Sequence, residues 1–206
     1  MMLRIAAAVS LVMGVTILLL YLDKVGTAPW STPPERHLRA MKERTSLPAA
    51  YDSVSFADMV ALPHERPLAE YAPLEQRAVS LEGFVQRMTR SPDGDMHLDF
   101  ADTLESEGRL VPFLSAEITP QWHMGSPRWR FERLVALFRP YIGGPTRWDD
   151  PPRRARLSGW VMNDYTHKPE PHAYGFPDFL TRWEIHPVTR IETWDDSLAR
   201  FVELPR

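Results

Sequence analysis

The sequence predicts a mainly β protein. Its centre is a five-stranded barrel with one helix between strands 3 and 4, preceded by an N-terminal transmembrane helix. Three observations predict this. Five separate segments after residue 78 read as strands, with the apolar and polar alternation of half-buried strands plain in the first and the fourth. One helical segment with clear punctuation follows the third of them. An uncharged apolar run, residues 5–22, lies close to the start. Twenty prolines in 206 residues, against a usual share of about 5%, also argue against a helical bundle. Three strands, a helix and two strands is the order of an OB-fold, a partly open five-stranded barrel. A five-stranded sheet flanked by a helix in another topology is the alternative.

The elements follow in order. Residues 5–22 read IAAAVSLVMGVTILLLYL, and at 1.5 Å per residue they cover about 27 Å, enough for a bilayer core. Arg4 and the terminal amine place the N-terminus in the cytoplasm and the rest outside, in the periplasm or beyond the cell. A signal peptide cleaved after Gly26-Thr27-Ala28 is the rival reading, and Pro29 stands directly against that site. Residues 23–77 read as a Pro-rich stalk with short helices, one of them at Ser55–Ala61 with Ser55 as its cap. Residues 78–206 form the barrel domain. Val79, Leu81, Gly83 and Val85 alternate as a first strand, with Gly83 where that strand must bend. Ser91-Pro92-Asp93-Gly94 is a turn. Met96–Phe100 and Leu110–Ile118 are strands two and three. Ser126 caps a helix that Pro127 opens, with Phe131, Leu134, Val135 and Phe138 on one face. Ala155–Val161 and Arg182–Ile191 are strands four and five, the latter ended or placed at an edge by Pro187. Asp195–Leu204 is a terminal helix or an ordered tail.

Composition excludes several function classes. Cysteine is absent, so there is no disulfide, thiolate metal site or Cys nucleophile. The sequence has no G-x-S-x-G elbow, P-loop or dinucleotide glycine pattern, so serine hydrolase, NTPase and Rossmann chemistry have no support. Residues 128–156 hold eight Arg against three acids. Trp122, Trp129, Trp148 and Trp160 lie in or near that stretch and could stack bases. Such a basic stripe could also face anionic lipid. Acids nevertheless outnumber bases by four outside the anchor, which weighs against nucleic acid as partner.

Four segments carry the candidate chemistry. Asp93-Gly94-Asp95-Met96-His97-Leu98-Asp99 follows a tight turn, and alternation puts His97 and Asp99 on one strand face. Glu117 closes the third strand. Asn163-Asp164-Tyr165-Thr166-His167 lies just past the fourth, on a loop of the kind that carries binding residues. Arg182, Glu184 and His186 share one face of the fifth strand, while Trp183 and Ile185 take the core side. Asp95, His97, Glu117, Asp164, His167, Arg182, Glu184 and His186 are therefore the candidate polar or ligand site. His97, His167 and His186 are the candidate ligands of a divalent metal. The bland reading is a buried polar network that pins loops to the barrel.

Asp-Gly-Asp-x-His-Leu, then Ala-Glu-Ile, then Asp-x-x-His, then Glu-Ile-His-Pro-Val resembles a group of uncharacterised bacterial secreted or membrane-anchored OB-fold-like proteins. The resemblance spans roughly residues 80–191, and Glu-Ile-His-Pro-Val is its most specific piece. It implies a small β-barrel outside the cytoplasm, and it implies no activity. The function expected is binding or scaffolding at the cell envelope, with an envelope protein or a small ligand as partner. A metal-dependent hydrolase using the His/carboxylate set is one alternative. An oligonucleotide- or oligosaccharide-binding barrel is another.

Overall fold

The computed structural model describes residues 13–19, 31–105, 109–142, 151–165 and 179–206. The chain divides into two compact units, Met1–Glu43 and Arg44–Arg206.

In the first unit residues 13–19 are helical. Most of the expected membrane segment, residues 5–22, lies outside the described residues. Among those described, no helix is long and apolar enough to cross a membrane. The helix Pro33–Lys42 starts on a capping box: Thr32 accepts from the Glu35 backbone N–H, and the Glu35 carboxylate accepts from the Thr32 N–H. Both orphan donors at its start are thereby satisfied.

The second unit is built on seven strands: β1 (Asp52–Ser53), β2 (Ala78–Arg90), β3 (Met96–Ala101), β4 (Leu114–Ile118), β5 (Arg154–Asn163), β6 (Trp183–Asp195) and β7 (Arg200–Glu203). Five of them close a barrel in the order β2-β3-β4-β6-β5 and back to β2. The contact of β4 with β6 is parallel, at Ala116 and Ile185, and the other four are antiparallel. The expected five-stranded barrel is thus observed, with the Phe131–Phe138 helix between its third and fourth strands.

Closure requires β2 to pair on both sides. Its first half lies against β5 and its second half against β3. Gly83 sits at the changeover, where a Cβ would run into the carbonyl oxygen of Ala101 and lie 3.1 Å from the Phe56 ring. The bend expected there from sequence is therefore a place of close backbone approach. Inside the barrel Leu81, Val85, Leu98, Leu114, Leu157 and Ile185 are among the fully buried side chains.

Four expectations need correction. The stalk expected over residues 23–77 divides at Glu43, and its C-terminal part packs on the barrel. Phe56, Met59 and Tyr71 join the core. The Phe56 ring lies 5.4 Å from that of Phe100, and Tyr71 meets Trp183 edge-on at 5.2 Å. Many prolines in a segment do not keep it off a core when apolar residues stand between them. Second, the helix begins at Phe131 rather than Pro127. Pro127–Trp129 is a separate 3-10 turn, and the Ser126 hydroxyl makes no cap bond. Trp129 is buried, and its indole N–H donates to the Leu204 carbonyl. Anchoring that ring leaves Arg130 extended between the two pieces. Third, of the two readings of the tail the helix fails and the ordered tail stands: β7 returns on β6 as a hairpin beyond Asp195, whose carboxylate accepts from Ser197 and Leu198. Fourth, β6 runs through Pro187 to Asp195.

The helix Phe56–Val60 is where sequence placed it. Ser55 and Asp58 form its capping box. Ser55→Ala is expected to cost about 1 kcal/mol, read as a lowered urea midpoint with unchanged slope. An unchanged midpoint would show that this helix is held by Phe56 and Met59 alone.

Candidate functional site

Alternation along the strands sorts their residues to two faces. On β3, β4 and β6 the residues Leu98, Ala116 and Ile185 belong to the apolar core. Residues on the other face are His97, Glu117 and Glu184, and they point away from the barrel interior. Glu117 and Glu184 are nevertheless almost fully buried.

Glu117 is the centre of the arrangement. It pairs across the ladder with His97, and its Oε1 lies 2.9 Å from His97 Nδ1. Its second oxygen, Oε2, lies 3.0 Å from His186 Nδ1. One carboxylate therefore touches both imidazoles. Glu184 Oε1 stands 3.3 Å from the same His186 nitrogen. Asp95 enters from the turn before β3, where Gly94 has a positive φ and the Ser91 N–H donates to the Asp95 carbonyl. One ligand atom each from Asp95, Glu117 and His186 fall within 4.8 Å of one another.

His186 owes its position to an irregularity in β6. Gly159 and Val161 on β5 are two apart, while their partners Val188 and Ile185 are three apart. The additional residue makes a bulge at His186-Pro187, whose peptide bond is cis. Bulges re-aim side chains, and they are common beside functional sites.

Burial and charge set the protonation states. Burial is the largest single influence on His186 and opposes its imidazolium, but Glu117 and Glu184 together outweigh it, so the pKa is pushed up to about 10. Burial likewise opposes ionisation of Glu117, and His186 and His97 together overcome it, holding that carboxyl well below its usual range. Burial raises Asp95 to about 7, against the pull of His186 and with help from the Glu117 charge. Glu184 is raised by burial and by Glu117. His97 is raised by Glu117 in spite of burial. The centre is a buried His186–Glu117 ion pair with further acids around it.

A cavity of about 260 Å³ opens over this face. His97, Ser115, Glu117 and Glu184 line it from the strands, with Asp164, Phe179, Leu180, Thr181 and Arg182 from the connection between β5 and β6. His64 and Glu65 line it from the segment before β2. Of the residues expected from sequence, Asp95, His97, Glu117, Glu184 and His186 converge. Asp164 and Arg182 reach the cavity, and the Asp164 N–H donates to the Arg182 carbonyl. His167 lies outside the described residues. His64, Glu65, Ser115 and Phe179–Thr181 were not foreseen. Glu65 is a non-glycine residue at φ 54, but nothing in His-Glu-Arg-Pro distinguishes it from an ordinary exposed turn.

Among the described residues the tryptophans named above do not form a base-stacking row. Trp122 and Trp129 are buried. Trp160 donates to the Ser46 carbonyl, with the Arg44 guanidinium 4.6 Å above its ring. Trp148 lies outside the described residues.

No protein-family model matches the chain, and no curated protein matches it. Among solved structures the chain is similar to asparaginyl-tRNA synthetase of Entamoeba histolytica, with 14% identity and a TM-score of 0.36. The match covers 70% of this chain and 24% of that one, so this chain spans about a quarter of that protein's length.

Proposed function

We propose that this chain is an OB-fold-like binding module that takes a small neutral or cationic ligand in the cavity over β3, β4 and β6. The position of that cavity carries the reading. OB-folds bind on the face of barrel strands 2 and 3, between the loop joining strands 1 and 2 and the loop joining strands 4 and 5. Here β3 and β4 are those strands, Asp95 ends the first loop, and Asp164 and residues 179–182 reach the cavity from the β5–β6 connection. The acids lining the cavity favour hydrogen-bond donors and positive charge, and they repel a phosphate backbone. The apolar run at residues 5–22 supports presentation outside the cytoplasm on a membrane anchor, as does the resemblance to secreted or membrane-anchored barrels.

Thermal shifts of the full chain with short neutral oligosaccharides, spermidine and a single-stranded dT oligomer test the ligand class. A sugar or the polyamine is expected to raise the melting temperature. Saturation at 100 times Kd corresponds to about 2.7 kcal/mol. His64→Ala is expected to weaken that shift, because His64 is exposed at the cavity rim. A shift with the DNA oligomer alone, falling steeply with salt, overturns the reading.

A further inference from the structure

The polar atoms beneath the cavity approach one another without using their hydrogen-bonding capacity. His186 is fully buried, and neither ring nitrogen has a hydrogen-bond partner among the described residues. Its Nδ1 is close to Glu117 Oε2 and Glu184 Oε1, but out of line with both. Those two oxygens are also buried without a hydrogen bond. Buried polar atoms are normally satisfied, and leaving one bare costs about 1–3 kcal/mol. Two of these residues, Glu117 and His186, also share a cluster of ligand-type atoms with Asp95, and a missing central atom would explain both observations.

We propose that Asp95, Glu117 and His186 bind a divalent transition-metal cation of the Zn²⁺ type at the base of the cavity. Their ligand atoms already lie within 4.8 Å of one another. Bonds of about 2.0–2.2 Å to imidazole nitrogen and carboxylate oxygen need only a small closure from there. Two carboxylates match the double charge, and the imidazole, which gives up its proton to solvent as the metal binds, favours a transition metal over Mg²⁺ or Ca²⁺. Glu184 Oε1 is near enough to His186 to add an oxygen. His97 lies against the far oxygen of Glu117, where it orients that carboxylate as outer partners of metal ligands do. Of the three histidines expected from sequence, His186 belongs to the set, His97 lies one step out against Glu117, and His167 lies outside the described residues.

This site deepens the cavity reading and rests on it for its role, while its occupancy is tested without any organic ligand. The full chain in detergent is dialysed against chelator-buffered Zn²⁺, with Ca²⁺ as comparison, and its metal content measured. One Zn²⁺ per chain and no Ca²⁺ is expected. X-ray absorption at the zinc edge is expected to show a single imidazole among oxygen donors, a readout that needs no variant. Asp95→Asn leaves the Glu117–His186 pair in place and is expected to weaken Zn²⁺ at least tenfold, whereas His37→Gln leaves it unchanged. Failure to retain Zn²⁺, several imidazoles in the absorption spectrum, or unchanged affinity in Asp95→Asn each overturns the site. If Zn²⁺ fails while the sugar or polyamine still shifts the melting temperature, this site is lost and the cavity reading stands.

Discussion

Replacing Glu117 by alanine will destabilise the chelator-treated protein by about 3–5 kcal/mol. The figure follows from what the substitution leaves behind. His186 is fully buried, and its charge is held by Glu117 and Glu184. With Glu117 gone, the imidazolium is left with Glu184 and Asp95, two carboxyls whose pKa burial raises. An uncompensated buried charge is among the few defects that cost so much. Urea unfolding followed by tryptophan fluorescence measures it. A loss under about 1 kcal/mol would put the pair in the class of solvated surface ion pairs. Removing both partners, as Glu117→Ala with His186→Ala, is expected to cost less than the sum of the single changes.

The pair also has a pH signature. The folded pKa of His186, about 10, is above its ordinary 6.5. Its contribution is therefore complete below about pH 6.5 and is lost as pH rises through 10. Glu117 is held below its ordinary 4.5, so its contribution is present above that value and is lost as pH falls through the lowered one. The difference between wild type and Glu117→Ala should be largest near pH 5–6 and shrink toward pH 10.

Gly159→Ala will cost about 3 kcal/mol or more, the upper end for overpacking. A Cβ at Gly159 would collide with the Pro187 carbonyl oxygen, and it would lie 2.7 Å from Ile185 Cγ2 and 2.9 Å from Val188 Cα. Two of these are backbone atoms, which cannot swing aside as a side chain can. They belong to the bulge that carries His186, so the bulge must move with them. Loss of stability and loss of Zn²⁺ retention should appear together in this variant. By contrast Gly125→Ala, where a Cβ meets nothing within 4 Å, should change neither. A Gly159→Ala protein as stable as wild type would mean that β5 and β6 can separate here without penalty.

Much of the barrel was legible because its signals are local. Alternation in 79–85, 96–100 and 155–161 is visible without knowing any partner. So are the Asp-Gly turn and the apolar face of Phe131–Phe138. Chain order then narrowed the topology. The packing of segment 44–77 is not legible in the same way, because its prolines are a local signal whereas the burial of Phe56, Met59 and Tyr71 depends on a surface that the barrel supplies. The Trp129 anchor is of the same kind: its partner, the Leu204 carbonyl, is 75 residues away.

The candidate site shows the same division. By itself the sequence determined which residue types were available: no cysteine, seven histidines, and carboxylates spaced two apart on strands. It also determined that His97, Glu117 and Glu184 point away from the core, because side-chain direction in a strand follows from a period of two. Only the tertiary structure decided that one carboxylate joins both imidazoles, because the β3–β4 register sets one contact and the parallel β4–β6 pairing sets the other. It also decided that a bulge opposite Gly159 turns His186 toward Glu117. Register and bulge are properties of strand pairs, and the residues that set them are far apart in the chain.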